Sequence, residues 1–364
     1  MKRLSFVICF ITLSAILLSS CLNSEDPYNA GFVFRKPAQA INTVYANNVL
    51  DSIIVYSFGS WKATVNGSSS WFTMRTTQGN AATLYDIPIR FAQNTTGDAR
   101  SVTVNFMDTN HPNDAYSSLL YWQYATRGDG SLGMAPDVKA ITGSDGSRFD
   151  FAYDEQHRPT TLSVKLNENT LHNIHLRYND NDSTLTVSDK SRTMTARYAN
   201  DYQPKMLVGE TDTVGYYAQY YDGYMQTSAN YAFRIEHHHY GQPTKRYAMK
   251  LGGQSLLPDS LHNADSLRIA TDHVAESLKL HYSQNDNRRQ SVDVNQLIFG
   301  TKECDPYQLL SLFRYARNTS IISEATGKDD DERITVSATL NADRSVSTLT
   351  VSRRGKQIVY TFEY

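Results

Sequence analysis

The sequence predicts an all-β chain of two successive domains, a β-sandwich followed by a larger antiparallel β-meander with one short helix. Three observations carry this. Aromatic residues are abundant, with 24 Tyr and 14 Phe among 364 residues, alongside frequent Thr, Ser and Val, the types that fit a pleated, half-buried surface. Short apolar runs alternate with polar residues and break at turn signals along most of the chain. Only one window carries the start signals of a helix. A 40% hydrophobic, 20% charged composition excludes wholesale disorder and a polytopic helical membrane protein. With 35 basic against 37 acidic residues, nothing favours nucleic acid as a partner.

The first element, residues 1–20, reads as an export address. Lys2 and Arg3 precede an apolar run from Leu4 to Leu18. That run is shorter than the about 20 residues a helix needs to cross a bilayer, so it reads as a secretory signal. Leu18-Ser19-Ser20-Cys21 resembles a bacterial lipobox. The resemblance implies that Cys21 is lipidated and becomes the new N-terminus. Acyl chains at that position would make the membrane a partner, since each buried methylene contributes about 0.8 kcal/mol. Residues 21–30 then form an acidic tether, in which Ser24-Glu25-Asp26 resembles the export tag of Bacteroidetes surface lipoproteins. The implied location is the outer membrane, lipid-anchored and facing the cell surface. Cys9 leaves with the signal and Cys21 carries lipid, so Cys304 is left alone and no internal disulfide is expected.

Residues 31–127 read as the sandwich. Strands are expected at Val49–Tyr56, at Trp61–Val65 before the turn pair Asn66-Gly67, at Tyr85–Phe91, at Arg100–Phe106 and at Ser118–Tyr124. Pro88 should confine its strand to an edge or a bulge. About seven short strands in about 100 residues is the rhythm of an immunoglobulin-like fold. Gly59-Ser60-Trp61-Lys62-Ala63, Ser70-Trp71-Phe72-Thr73-Met74, the Asn94 to Val104 stretch containing Arg100, and Gln123 follow in an order that resembles the BACON domain. That family implies an immunoglobulin-like fold and a carbohydrate ligand. The insertion from Met107 to Tyr116 departs from its pattern. Trp61 alternates with Ala63 and Val65 and is expected in the core. Trp71 is expected to fill the sandwich core as Trp does in immunoglobulin-like domains, and is also kept as a candidate sugar platform. Asn94 and Arg100 are expected to fix a turn and a strand end.

Residues 128–133, within Arg127-Gly128-Asp129-Gly130-Ser131-Leu132-Gly133, read as a linker because they are Gly-rich and aperiodic. Residues 134–364 repeat a unit of alternating strand, Tyr, polar turn and returning strand, which is a hairpin meander. The helix is expected at Asp305–Tyr315, with Asp305 as N-cap, Pro306 at the first position, and Leu309, Leu312 and Phe313 on one face. This helix and the final hairpins resemble a Bacteroidales lipoprotein domain of unknown function described as porin-like, which implies a fold and no activity. Tyr360, Phe362 and Tyr364 alternate as in the last strand of an outer-membrane barrel. Against a lipid-facing barrel stand Lys165, Arg177 and Lys279 at outward positions.

Candidate chemistry is sparse. Tyr216, Tyr217, Tyr220, Tyr221 and Tyr224 cluster around Asp222-Gly223 and are candidate ligand-binding residues, since Tyr combines rigid area with a hydroxyl. His237 and His239 share one strand face and are weak zinc candidates. Asp180-Asn181-Asp182 and Asp329–Glu332 lack the spacing of a calcium loop and read as solvated turns. No nucleophile elbow, phosphate loop or dinucleotide motif is present. The sequence therefore predicts a non-catalytic binding or adhesion protein without cofactor, directed at a glycan or at a host or partner protein. Alternatives are an accessory subunit of a glycan uptake system and, less favoured, a glycan-directed hydrolase.

Overall fold

The computed structural model describes residues 31–35, 41–66, 70–112, 116–167, 170–199, 202–218, 231–239, 242–250, 263, 266–271, 275–299, 310, 312–313, 317–328 and 333–364. The chain is almost entirely antiparallel sheet, as the aromatic and β-branched composition requires. It divides into two compact units.

The first unit comprises residues 1–43, 50–92 and 101–122. Its strands are β1 (Phe32–Phe34), β2 (Ile41–Val44), β3 (Leu50–Ser57), β4 (Trp61–Asn66), β5 (Phe72–Met74), β6 (Gln78–Gly79), β7 (Thr83–Phe91), β8 (Arg100–Asp108) and β9 (Tyr116–Gln123). They form a four-stranded sheet, β1-β3-β7-β5, and a five-stranded sheet, β2-β9-β8-β4-β6. Alternation decides which side faces inward. In β3, Ile53 and Val55 are buried, and in β7, Ile87, Ile89 and Phe91 are buried. Rings from the two sheets meet between them: Phe34 lies 5.1 Å from Phe106, Trp61 5.3 Å from Tyr85, and Phe91 5.9 Å from Tyr121. This is a β-sandwich. Pro88 sits in an interior strand rather than an edge. The reason is local: β5 stops at Met74 opposite Ile89, so at Pro88 the strand has a partner on one side only.

The second unit comprises residues 44–49, 93–100 and 123–364. Sixteen described strands follow one another round a closed barrel. They are β10 (Ala140–Gly143), β11 (Arg148–Tyr153), β12 (Pro159–Asn167), β13 (Thr170–Asn179), β14 (Thr184–Ser188) and β15 (Thr193–Arg197). β16 (Met206–Val208), β17 (Asp212–Ala218), β18 (Tyr231–His239), β19 (Gln242–Lys250) and β20 (Ser266–Thr271) continue it. β21 (Ala275–Asp286), β22 (Ser320–Thr326), β23 (Ile334–Leu340), β24 (Val346–Arg353) and β25 (Lys356–Glu363) complete it. The first and last strands pair, with Ile141 opposite Phe362 and Gly143 opposite Tyr360. The predicted meander therefore closes on itself and leaves no edge on that seam.

A barrel this wide has a lumen that strand side chains alone cannot fill. Here the connection between β21 and β22 supplies the filling. It holds a 3₁₀ turn (Asn287–Arg289) and a single helical turn, α1 (Asn295–Ile298). Val292, Val294, Leu297, Leu310, Leu312 and Phe313 join one buried cluster with the strand residues Phe149, Leu162, Ile174, Leu185 and Leu349. The short helix thus falls at 295–298. Of the expected helix at Asp305–Tyr315, residues 305–309, 311 and 314–315 lie outside those described, and Leu310, Leu312 and Phe313 adopt 3₁₀ geometry. Two buried amides of this connection are satisfied: Asn287 Nδ2 donates to Asp293 Oδ1 at 2.7 Å within it, and Asn295 Nδ2 to the Ser320 carbonyl of β22 at 2.9 Å.

The outward positions of the described barrel strands are mostly polar. Lys165, His175, Arg177, Thr193, Thr195, Arg197, Lys279, His281 and Thr335 are exposed, while their strand neighbours Val164, Leu176, Met194, Leu278 and Ile334 are buried. This polarity is the reverse of a lipid-facing barrel, whose apolar residues point out.

The segment expected as a linker is instead built into the second unit. Arg127, Asp129 and Ser131 are buried. Arg127 pairs with Asp137 at 2.8 Å and donates to the Ala135 carbonyl. Arg317 donates to the Asp129 carbonyl at 2.8 Å. Glycine is used here for turning and close approach, not for flexibility: Gly130 has φ +81°, and a Cβ on Gly133 would lie 1.8 Å from the Asn94 carbonyl oxygen.

Candidate functional site

Two side-chain constellations stand out, one in each unit. The first is a pocket of about 90 Å³ in the sandwich, lined by Phe34 and Arg35 of the first edge, Asp51, Ser52, Ile53 and Ile54 of β3, and Leu119 and Tyr121 of β9. The strand period places Asp51 on the same side as Ile53 and Val55, at the end of β3 where the inner face opens. Ser52 N donates to Asp51 Oδ1 at 2.8 Å. Burial pushes the Tyr121 phenol well above its usual range, and the negative charge of Asp51 adds to the effect. The phenol therefore stays protonated. The pocket joins an aromatic wall, a carboxylate, a hydroxyl and a guanidinium-bearing lip. That set suits a ligand with alternating C–H faces and hydroxyls.

The second constellation surrounds Arg158, which is 8% exposed. Its guanidinium carbon lies 4.4 Å from the centre of the Tyr178 ring and 4.7 Å from that of Tyr202. It pairs with Asp154 at 2.6 Å and with Asp180 at 2.6 Å, and Tyr198 donates its hydroxyl to Asp180 at 2.7 Å. Burial opposes the charged Asp180 carboxylate, but the hydrogen bonds from Arg158 and Tyr198 outweigh it and hold its pKa below the usual carboxylate range. Tyr202 sits at φ +56° and accepts a hydrogen bond from Asn48 Nδ2 at 3.1 Å. The adjoining cavity, between Tyr178, Tyr202, Leu310 and Phe313, measures about 20 Å³, room for one water. This is a filled aromatic cage whose occupant is the chain's own arginine.

Trp71 is only 7% exposed, with its ring stacked on Phe91 at 6.2 Å and edge-on to Phe72. It belongs to the core and offers no face to a sugar, because the β5 turn carries its side chain between the sheets. Tyr216 and Tyr217 lie in β17 opposite Ile235 and Arg234. Tyr220, Tyr221 and Tyr224 lie outside the described residues, as do Cys21, Cys304 and Asp329 to Glu332. His237 and His239 lie in β18, opposite Val214 and Asp212. Among the described residues no group of three metal-capable side chains converges. Asp180 serves Arg158, and Asp182 accepts from Thr184 N.

The residues behind the family resemblance are structural. Asn94 is fully buried, donating to the Asp98 and Tyr124 carbonyls and accepting from the Thr96 hydroxyl. Arg100 Nε donates to Gln123 Oε1 at 2.8 Å. Sequence reasoning missed both constellations, since their members are scattered over β1, β3 and β9, and over five turns and strands of the barrel. Only the frequency of Tyr after barrel strands hinted at the second.

No protein-family model matches the chain, and no curated protein matches it. Among solved structures, a porin-like protein from Bacteroides uniformis is similar at TM-score 0.40 and 13% identity, over 62% of this chain and 96% of that one. A Bacteroides ovatus GH5 xyloglucanase in complex with a XXXG heptasaccharide is similar at TM-score 0.22 and 20% identity, over 29% of this chain and 21% of that one. At those scores neither similarity bears on function. The fold by itself defines an all-β protein with a two-sheet sandwich and a closed, internally filled antiparallel barrel.

Proposed function

We propose that this chain is a lipid-anchored, surface-exposed outer-membrane protein that binds a glycan without turning it over. In this reading the sandwich is of the BACON type and the barrel is a rigid soluble body. The carrying observation is the pocket at Asp51 and Tyr121, with Phe34 as its aromatic wall and Arg35 at its lip. A pyranose edge fits such a site: its C–H face meets the ring, and its hydroxyls meet the carboxylate and phenol. At about 90 Å³ the pocket holds the edge of one ring and not an oligosaccharide. Affinity for a single residue would be weak, and clustering of anchored copies would raise it. The polar exterior of the barrel supports the soluble part of the reading, since charged residues facing lipid cost about 2–4 kcal/mol each.

The test is a glycan array with the purified protein and its Asp51→Asn and Arg35→Ala variants. Binding to some glycan, weakened about tenfold in Asp51→Asn, is expected from loss of a charge-assisted hydrogen bond. Binding unchanged in both variants, or no glycan bound at all, contradicts the reading.

A further inference from the structure

The outer face of the sheet β1-β3-β7 carries an apolar row. Val33 pairs with Tyr56, and Tyr56 pairs with Leu84, so the three side chains stand side by side on one face. The inner face is taken by Phe32, Phe34, Val55 and Ile87, which leaves this row outward. Val33 is 53% exposed and Leu84 66% exposed. Phe58, 52% exposed, extends the row, with its ring edge-on to Tyr56 at 4.9 Å. An outward-facing sheet surface normally alternates to polar residues, so four apolar neighbours here are not explained by the sandwich core.

The anchored end of the chain arrives at this same spot. Gly31 is the first described residue, and its carbonyl accepts a hydrogen bond from Phe58 N at 3.1 Å. Ten residues, 21–30, separate the lipobox cysteine from it. Fully extended, ten residues reach at most about 35 Å, so the patch cannot stray far from the bilayer surface. The rim is charged on one side: Arg35 and Asp86 are exposed in the next row, level with Ile54. An aliphatic and aromatic surface with a basic residue at its margin matches the headgroup–acyl boundary of a membrane.

We propose that Val33, Tyr56, Phe58 and Leu84 form a membrane-docking face by which the anchored sandwich lies against a phospholipid surface. The proposal rests on the lipid-anchor reading above. It fixes the sense in which the sandwich is held. Asp51 lies five residues along β3 from Tyr56, about 17 Å at strand spacing, so the carboxylate end of the pocket lies away from the row while its Arg35 lip borders it.

The experiment uses the full chain, made in its native envelope, with Cys304→Ser and Leu84→Cys carrying an environment-sensitive fluorophore. A matched sample carries it at Thr195→Cys, an exposed barrel position. Both are placed in vesicles of phosphatidylethanolamine and phosphatidylglycerol containing acyl-chain nitroxide lipids. A blue shift and quenching at position 84, absent at position 195, are expected. Adding Val33→Ser and Phe58→Ser, both at exposed positions that leave the core intact, should reduce the quenching roughly fivefold. Equal, water-like signals at 84 and 195 overturn the docking face. The intact mass of the same sample reads acylation separately. If Cys21 carries no lipid, the anchor reading fails alone, and the docking face then stands or falls on whether added vesicles shift the label at position 84.

Discussion

The guanidinium of Arg158 lies against the face of Tyr178 at 4.4 Å while its nitrogens engage Asp154 and Asp180. One buried cation is thus neutralised by two carboxylates and lies 4.4 and 4.7 Å from the centres of two rings set nearly at right angles, where separate segments of the barrel unit meet. Burying an unpaired guanidinium would be costly, so the stack forms as a whole or not at all.

Removing it should be felt globally. Arg158→Ala is expected to lower unfolding stability by about 3 kcal/mol, combining lost charged hydrogen bonds with the carboxylates left behind. Arg158→Lys keeps the charge but loses the planar fork and the ring stacking, and should cost about half as much. Denaturant unfolding followed by circular dichroism measures both. A loss under about 0.5 kcal/mol for Arg158→Ala would class the cage as an ornamental surface pair.

Acid should weaken the same cluster. The Asp180 pKa is held below its ordinary value in the folded state, so its contribution is complete above the unfolded carboxylate pKa and is lost as pH falls through the depressed value. The stability gap between the parent protein and Asp180→Asn should therefore be widest at neutral pH and close towards pH 2. Urea titrations at several pH values would show it. A gap that stays constant with pH would mean that the carboxylate's charge does not matter.

Core and pocket should separate in the sandwich. Trp71→Ala removes a ring packed on Phe72 and Phe91 and should cost about 3–5 kcal/mol. Asp51→Asn should leave stability within about 1 kcal/mol while weakening ligand binding. Thermal unfolding and binding assays on the same two variants test this. A Trp71→Ala protein with parental stability and no binding would return Trp71 to the ligand site.

Closure of the barrel depends on its last strand. Deleting Lys356–Tyr364 exposes β10 and β24 together and removes Tyr360 and Phe362 from the core. The expected product is aggregated, because two long unpaired edges template association. Recovery of a monodisperse, β-rich truncated protein would show that the seam is dispensable.

The sequence and structure agree where one local rule decides. Alternation in Trp61–Val65 and Arg100–Phe106 predicted strands that are present as β4 and β8, because a half-buried sheet leaves its period in the residues. The outward Lys165, Arg177 and Lys279 were legible for the same reason. Closure of the meander was not, since pairing of β10 with β25 joins residues more than 200 positions apart and leaves no local mark. Arg127 to Gly133 misled because glycine serves turns and close approaches as well as linkers. Trp71 was legible as a core residue, although a Trp beside a turn suits a sugar platform as well. The pocket at Asp51 and Tyr121 draws on three strands and had no spacing to betray it.

The described barrel strands keep their apolar side chains inside and point mostly polar ones outward. Purified unacylated protein, residues 22–364, offers the direct measurement: circular dichroism and sedimentation in detergent-free buffer, followed by addition to a planar bilayer. A folded, β-rich, water-soluble species that produces no conductance is expected. A protein that folds only in detergent micelles and opens discrete channels would contradict it.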